Sequence, residues 1–127
     1  AGADQMSPID ATLIGIIAGI ILPLGVSLID KLKLDDPVGA VAVHLICGIW
    51  GTLAVGIFGS MAGVDQFVNQ LIGVGVIGAF SVFCAGVIIF TIKAVVGIRV
   101  SEEEELKGLD ISEHSMDAYA DFSTNKN

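Results

Sequence analysis

The chain has 127 residues, of which 54% are hydrophobic, and its formal net charge at pH 7 is −8. The mean hydropathy is +0.83, and between Asp36 and Lys93 the only formal charge is Asp65. Long apolar runs with charges at their flanks exclude a soluble domain with one core and are typical of a multi-spanning membrane protein. The sequence has no basic patch, so we expect no nucleic acid partner.

The first predicted span runs from Ile9 to Ile29 and is interrupted only by Asp10 near its start. Ser7 is a favourable helix cap, and Pro8 suits the first helical position because it lacks an amide hydrogen that would stay unpaired there. Pro23 lies inside the run and predicts a kink, which membrane helices tolerate when their neighbours satisfy the freed carbonyl.

Two further apolar runs complete the predicted membrane region. The second runs from Val38 to Phe58 and follows Asp35, Asp36 and Pro37, two acids and a proline that suit the start of a helix. The third occupies about 68–92. At 1.5 Å per residue, each run is about 30 Å long, which matches the hydrocarbon core of a bilayer. The predicted fold is therefore all-α and polytopic, with spans at about 9–29, 38–58 and 68–92.

The basic residues predict how the spans are oriented. The loop at 30–36 carries two lysines, and further basic residues follow the third span, whereas the loop at 59–66 has neither lysine nor arginine. The positive-inside rule then places the lysine loop and the C-terminus in the cytoplasm. We predict a transmembrane region over residues 1–96 and a cytoplasmic C-terminal tail over residues 97–127.

One histidine, His44, lies in a stretch without formal charge that runs from Val38 to Val64. Ionisable residues inside spanning helices are costly and tend to face a bundle interior or a cavity. At α-helical spacing, Cys47, Gly48 and Gly51 share the face of His44, so small residues would surround the imidazole. We predict that His44 lines a narrow conduit. The alternative is a neutral histidine that is hydrogen-bonded to a neighbouring helix for packing alone.

Other residues of the predicted spans are interpreted as packing residues. Trp50 lies near the middle of its span, which favours a buried structural role over a pore-lining one. Gly15 and Gly19 form a GxxxG pair that would let another helix approach closely. Cys47 and Cys84 lie inside apolar runs and show no disulfide or metal-ligand spacing. We therefore expect neither a metal site nor a cofactor.

Three stretches of the sequence resemble the ammonium transporter (Amt/Mep/Rh) family. Residues 35–54, DDPVGAVAVHLICGIWGTLA, resemble the tenth helix of the family, which carries the second of its paired pore histidines. Residues 7–19 resemble the ninth helix, and residues 97–105 followed by 107–114 resemble the cytoplasmic tail. The stretches stand in the order of the family and together cover nearly the whole chain.

The resemblance implies a cell-membrane transport protein and not an enzyme. Members have eleven spans arranged as an inverted repeat, and they assemble as homotrimers. They conduct ammonium through a pore in each subunit, where the ion loses a proton and passes as ammonia. The residues so assigned are His44 in the pore, Cys47, Gly48 and Gly51 beside it, and Asp35, Asp36 and Pro37 at the start of the pore helix.

The chain departs from the family in two respects. It holds about three of the eleven spans, so we expect it to be the C-terminal part of a longer transporter that conducts only with the missing helices. Leu45 follows His44 where the family usually has glycine, which affects packing beside the pore. Two alternatives stay open. One is a non-conducting membrane subunit that assembles with or regulates a full-length ammonium transporter, and the other is a subunit of a proton-translocating complex with His44 as relay.

The C-terminal tail is predicted to be ordered. Ser101 suits the cap of a short helix whose first turn is acidic, and Gly108 permits a turn after it. The resemblance assigns Gly108, Leu109 and Asp110 to a regulatory segment that packs on a neighbouring subunit and is a candidate contact for a trimeric PII-class signalling protein. His114 is interpreted as a surface residue. The alternative from composition alone is a disordered acidic tail.

Overall fold

A computed structural model describes residues 1–118. This part of the chain is all-helical: helix α1 spans Pro8–Lys31, a π-helix spans Ala40–Ile46, and helices α2, α3, α4 and α5 span Cys47–Ala54, Val64–Val95, Glu102–Lys107 and Leu109–His114. Residues 1–84 form one compact unit, and the described residues from 85 to 118 belong to a second. The first unit contains His44 and the segment around it.

Helix α1 begins as its sequence predicts. The Ser7 hydroxyl accepts a hydrogen bond from the Asp10 amide at 3.2 Å, and the Asp10 carboxylate accepts one from the Ser7 amide at 3.1 Å. This reciprocal pair satisfies two amides that have no partner inside the helix. Pro8 occupies the first turn, and the helix continues through Pro23 to Lys31.

The segment after α1 differs from the continuous α-helix predicted over 38–58. The helix begins only at Ala40, because Gly39 has a φ of 70° and Pro37 lies in the turn before it. Its first seven residues are π-helical, and α2 ends at Ala54. Beyond Ala54 the backbone tightens into hydrogen bonds of the i→i+3 type, such as that from the Gly56 amide to the Leu53 carbonyl at 3.0 Å.

Two of the helices are long and apolar enough to cross a membrane, namely α1 with 24 residues and α3 with 32. Residues 40–54 are apolar as well, but the 7-residue π-helix and the 8-residue α2 fall short of the ~20 residues that a span needs. Of the three predicted spans, the structure therefore contains two full-length helices and one shorter apolar segment.

Small residues bring these helices together, as is usual where lipid removes the hydrophobic force between them. A Cβ at Gly25 of α1 would lie 3.1 Å from Ile46 Cδ1, and a Cβ at Gly56 would lie only 2.4 Å from Phe67 Cα at the start of α3. The predicted GxxxG pair makes no such contact within the described chain, since a Cβ at Gly15 or at Gly19 would meet nothing within 4 Å.

The buried core of the described chain is small. Within residues 1–118 it consists of four hydrophobic residues, Ile29, Ala42, Ala54 and Val55. Helix α3 has no buried residue, and most large apolar side chains are exposed. An apolar surface of this extent needs lipid or further apolar helices against it.

Candidate functional site

His44 lies in the π-helix and its side chain is exposed. Its backbone amide donates to the Gly39 carbonyl at 3.4 Å, five residues back, and the same carbonyl accepts from the Val43 amide at 2.8 Å. The imidazole makes no hydrogen bond to any residue in 1–118. The alternative of a histidine satisfied by packing therefore finds no partner within the described part of the chain.

Residues other than His44 form the side of the 40–54 segment that packs on α1. Ala42 is 1% exposed, and Ile46 reaches Gly25. Trp50 Nε1 donates to the Ile14 carbonyl at 3.1 Å, which agrees with the structural role predicted for this tryptophan. Cys47 Sγ lies 3.8 Å from the Ala18 carbonyl oxygen.

The four residues predicted to share one face, which are His44, Cys47, Gly48 and Gly51, have different surroundings in the structure. Cys47 contacts α1, whereas His44 and Gly48 are exposed, and a Cβ at Gly48 or at Gly51 would meet nothing within 4 Å. The prediction used α-helical spacing, and a π-helix changes the angular relation between residues on its two sides. The structure therefore leaves His44 and Gly48 exposed and Gly51 half-buried, while Cys47 lies against α1.

Asp36 caps this segment from outside the helix. Its carboxylate accepts hydrogen bonds from the Val41 amide at 3.1 Å and from the Ala42 amide at 2.9 Å. These bonds, above all the one from Ala42, hold the pKa of Asp36 below its usual value. The neighbouring Asp35 is exposed and makes no hydrogen bond within residues 1–118. The capping role predicted for both acids is therefore confirmed for Asp36 alone.

In the second unit, Ser101 caps α4 as predicted. Its hydroxyl accepts from the Glu104 amide at 3.3 Å, and the Glu104 carboxylate accepts from the Ser101 amide at 3.0 Å. Hydrogen bonds from Ser101 lower the pKa of Glu104. Arg99 forms an exposed ion pair with Glu105, with Nη2 and Oε1 2.7 Å apart. The described part of the tail is therefore helical and capped.

Gly108 separates α4 from α5 in a conformation that other residues avoid. Its φ is 96° and its ψ is 134°, and a Cβ there would lie 2.7 Å from Asp110 Oδ1. The Asp110 carboxylate accepts from the Ala118 amide at 2.9 Å, and this bond is the main cause of its lowered pKa. Leu109 begins α5 and is exposed. His114 at the end of α5 is exposed too, as expected for a surface residue.

Two glycines with structural roles, Gly25 and Gly39, were not identified from the sequence, whereas Gly56 was expected to be a packing residue of the second segment. Gly39 supplies the positive φ before the π-helix, while Gly25 and Gly56 mark the close helix contacts. Their sequence signal is weak because the chain has 16 glycines. Within residues 1–118, no group of three or more His, Cys, Asp or Glu residues could hold a metal ion.

Two long apolar helices and a third, shorter apolar segment, which leave most of their large side chains exposed, define a helical membrane protein. The sequence profile of the Ammonium Transporter Family matches residues 1–119, and the chain belongs to that family. Membership implies a multi-pass membrane protein.

Curated relatives support the same assignment. The chain is 40% identical to the ammonium transporter Amt2 of Methanocaldococcus jannaschii, over 94% of this chain and 30% of that protein. It is 44% identical to a putative ammonium transporter of Synechocystis, over 90% of this chain and 26% of that protein. It is 40% identical to the ammonium transporter Amt1 of Haloferax mediterranei, over 87% of this chain and 22% of that protein. The chain thus spans between about a fifth and a third of the length of these relatives.

The Trp50 contact can be tested by a substitution that removes the indole N–H donor together with part of the ring. Trp50→Phe should lower stability by about 1 kcal/mol, because the Ile14 carbonyl loses a hydrogen bond between helices. Thermal unfolding in detergent measures the change. Thr52→Val is the control, since the Thr52 hydroxyl bonds the Gly48 carbonyl of its own helix and joins no second helix. Equal midpoints for Trp50→Phe and the unmodified protein would contradict a role in helix pairing.

Proposed function

We propose that this chain is the C-terminal part of an ammonium transporter and that it contributes one pore histidine and a regulatory tail. The observation that carries the proposal is the family match over residues 1–119 together with relatives that are named ammonium transporters. The substrate is then ammonium or ammonia. The protein lies in the cell membrane, with the lysine loop and the tail in the cytoplasm.

His44 is the residue that we assign to the pore. It is the one histidine of the apolar segments, its imidazole is exposed, and it has no hydrogen-bond partner within residues 1–118. The segment that carries it uses other residues to pack on α1. These features support a His44 side chain that forms its hydrogen bonds with other helices of the complete transporter.

The chemistry of a neutral imidazole suits this role. Transferring a cation from water into an apolar lumen costs far more than transferring a neutral amine, so ammonium would lose its proton on entering. Neutral histidine has one ring nitrogen that donates and one that accepts, so a pair of histidines can guide ammonia without a fixed charge. Gly48 and Gly51 add no bulk beside His44, whereas Leu45, 53% exposed, adds a large side chain.

Assembly and regulation are proposed from the family resemblance. We expect homotrimers of the complete transporter, with the tail packed on a neighbouring subunit and accessible to a PII-class signalling protein. The capped helix α4, the strained turn at Gly108 and the Asp110 bond to Ala118 support an ordered segment that can hold a defined surface. Gly108, Leu109 and Asp110 are the residues that we assign to this role.

The pore assignment is tested by His44→Ala in the complete transporter. Loss of one hydrogen bond to the passing amine, worth about 1 kcal/mol, should lower the uptake of labelled methylammonium about fivefold per inserted molecule. Protein level should change little, because His44 is exposed and makes no bond in the described chain.

Val43→Ala is the control for His44→Ala, since it shortens a neighbouring exposed side chain of the same π-helix without removing a polar group. Its uptake per inserted molecule should match that of the unmodified transporter. Unchanged uptake per inserted molecule in His44→Ala would show that His44 does not contribute to the pore.

The tail is tested by Gly108→Asp in the complete transporter. A side chain at this φ costs on the order of 1–3 kcal/mol and collides with Asp110, so the turn between α4 and α5 should be disturbed and transport should fall. Gly108→Ala brings the same strain without a charge and should act in the same direction. Transport at the unmodified rate by Gly108→Asp would refute a regulatory role for the tail.

A further inference from the structure

We infer that Asp36 is a positioning residue for His44, because its carboxylate fixes the π-helix in which His44 lies. The inference rests on the proposed pore role of His44 and extends it to a residue outside the helix. Asp36 itself would touch no substrate. Its action would pass through the backbone of residues 40–46 to the direction of the imidazole.

The Asp36 carboxylate binds the backbone at the start of the π-helix. The first amides of a helix have no partner within it, and such groups are usually satisfied by the residue just before the helix. Here that residue is Gly39, which has no side chain, and Asp36 takes over the function from three residues further back. Both carboxylate oxygens lie 3.1 Å from the Val41 amide, and Oδ2 lies 2.9 Å from the Ala42 amide.

A tight turn connects Asp36 to the π-helix. The Gly39 amide donates to the Asp36 carbonyl at 3.1 Å, which closes a turn, and Gly39 adopts a φ of 70°. A Cβ on Gly39 would lie 2.8 Å from Val43 Cγ2. Glycine therefore lets the turn fold close to the helix, where the carboxylate can reach the two amides.

The first turn of the π-helix combines two hydrogen-bond patterns. The Gly39 carbonyl accepts at 2.8 Å from Val43, as in an α-helix, and at 3.4 Å from His44, as in a π-helix. π-Helical turns are rare and are often found at functional sites. The Asp36 bonds to Val41 and Ala42 hold two amides of this same turn from outside the helix.

The register determines where His44 points. A return to the α-helical pattern would take one residue out of the turn and rotate the residues on either side of it by about 100° relative to each other. Ala42 and Ile46 pack on α1. His44 could not keep its direction while both of those residues kept theirs.

The test is a double-mutant cycle in the complete transporter, with Asp36→Asn and His44→Ala alone and together. The readout is methylammonium uptake per inserted molecule. An asparagine loses the negative charge and replaces one of the two accepting oxygens by an NH2 group, which cannot accept a hydrogen bond from an amide, so Asp36→Asn should lower uptake on the order of fivefold when His44 is present. In the His44→Ala background it should change uptake less than about twofold, because a residue that acts through His44 has nothing left to position.

Asp35→Asn is the matched control, because it removes the same charge from the adjacent exposed residue without a hydrogen bond in the described chain. It should leave uptake unchanged in both backgrounds. An equal fall for Asp36→Asn with and without His44, or no fall in either, would overturn the inference. If His44→Ala alone leaves uptake unchanged, the pore role of His44 is wrong. This outcome differs from those that would overturn the positioning role of Asp36, so the two hypotheses can be tested separately.

Amide hydrogen exchange at residues 41–44 gives a second readout that is independent of transport. Exchange should be faster in Asp36→Asn than in Asp35→Asn, because only Asp36 binds these amides. Equal exchange would show that Asp36 does not fix the π-helix and would overturn the inference. If Asp36→Asn does not insert, Asp36→Glu, which keeps the charge and moves the carboxylate by one methylene, takes its place in the same cycle.

Discussion

The close approach of residues 40–54 to α1 is the contact on which the first unit depends. Two apolar helices gain little by burying side chains against each other in lipid, so their association relies on packing and on hydrogen bonds between helices. Gly25 supplies the packing by admitting Ile46. Trp50 supplies a hydrogen bond to the Ile14 carbonyl. The contact uses one side of the segment and leaves His44 on a side that nothing in residues 1–118 covers.

Three of the helices begin at a polar side chain that binds their free backbone amides. Ser7 and Ser101 cap α1 and α4 with an acid three residues later, and Asp36 caps the π-helix across a turn. The lowered pKa of Asp36 is the electrostatic counterpart of its bonds to backbone amides. Because the folded form favours the ionised carboxylate, its contribution to stability is present above the ordinary aspartate pKa and is lost as the pH falls below it.

The sequence predicted the parts of the fold that depend on local chemistry. Ser7 with Pro8, Ser101, and the turn at Gly108 were identified from residue type and position alone, and the structure confirms each. The existence of the apolar segments followed from hydropathy. These features could be predicted because a cap or an apolar run is defined by a few neighbouring residues.

The parts that were missed depend on contacts between distant residues. The second segment stops being α-helical at Ala54, and just beyond it Gly56 approaches Phe67 closely, a contact of which spacing along the chain carries no sign. The π-helix at 40–46 follows a turn at Gly39 that Asp36 caps, so the α-helical spacing used to predict one face for His44 and Cys47 does not hold along it, and Cys47 Sγ lies 3.8 Å from the Ala18 carbonyl oxygen. The pore and tail roles stay predictions, since they concern helices and subunits beyond this chain.

The central claim is that His44 and Gly48 lie on the open side of a segment whose other side packs on α1. Cysteine accessibility in the complete transporter tests it most directly, in a background that carries Cys47→Ala and Cys84→Ala. A small, water-soluble thiol reagent should label His44→Cys and Gly48→Cys, more slowly when ammonium is added, and should leave Ile46→Cys and Trp50→Cys unlabelled. Labelling of Ile46→Cys and Trp50→Cys in preference to His44→Cys and Gly48→Cys would contradict the account.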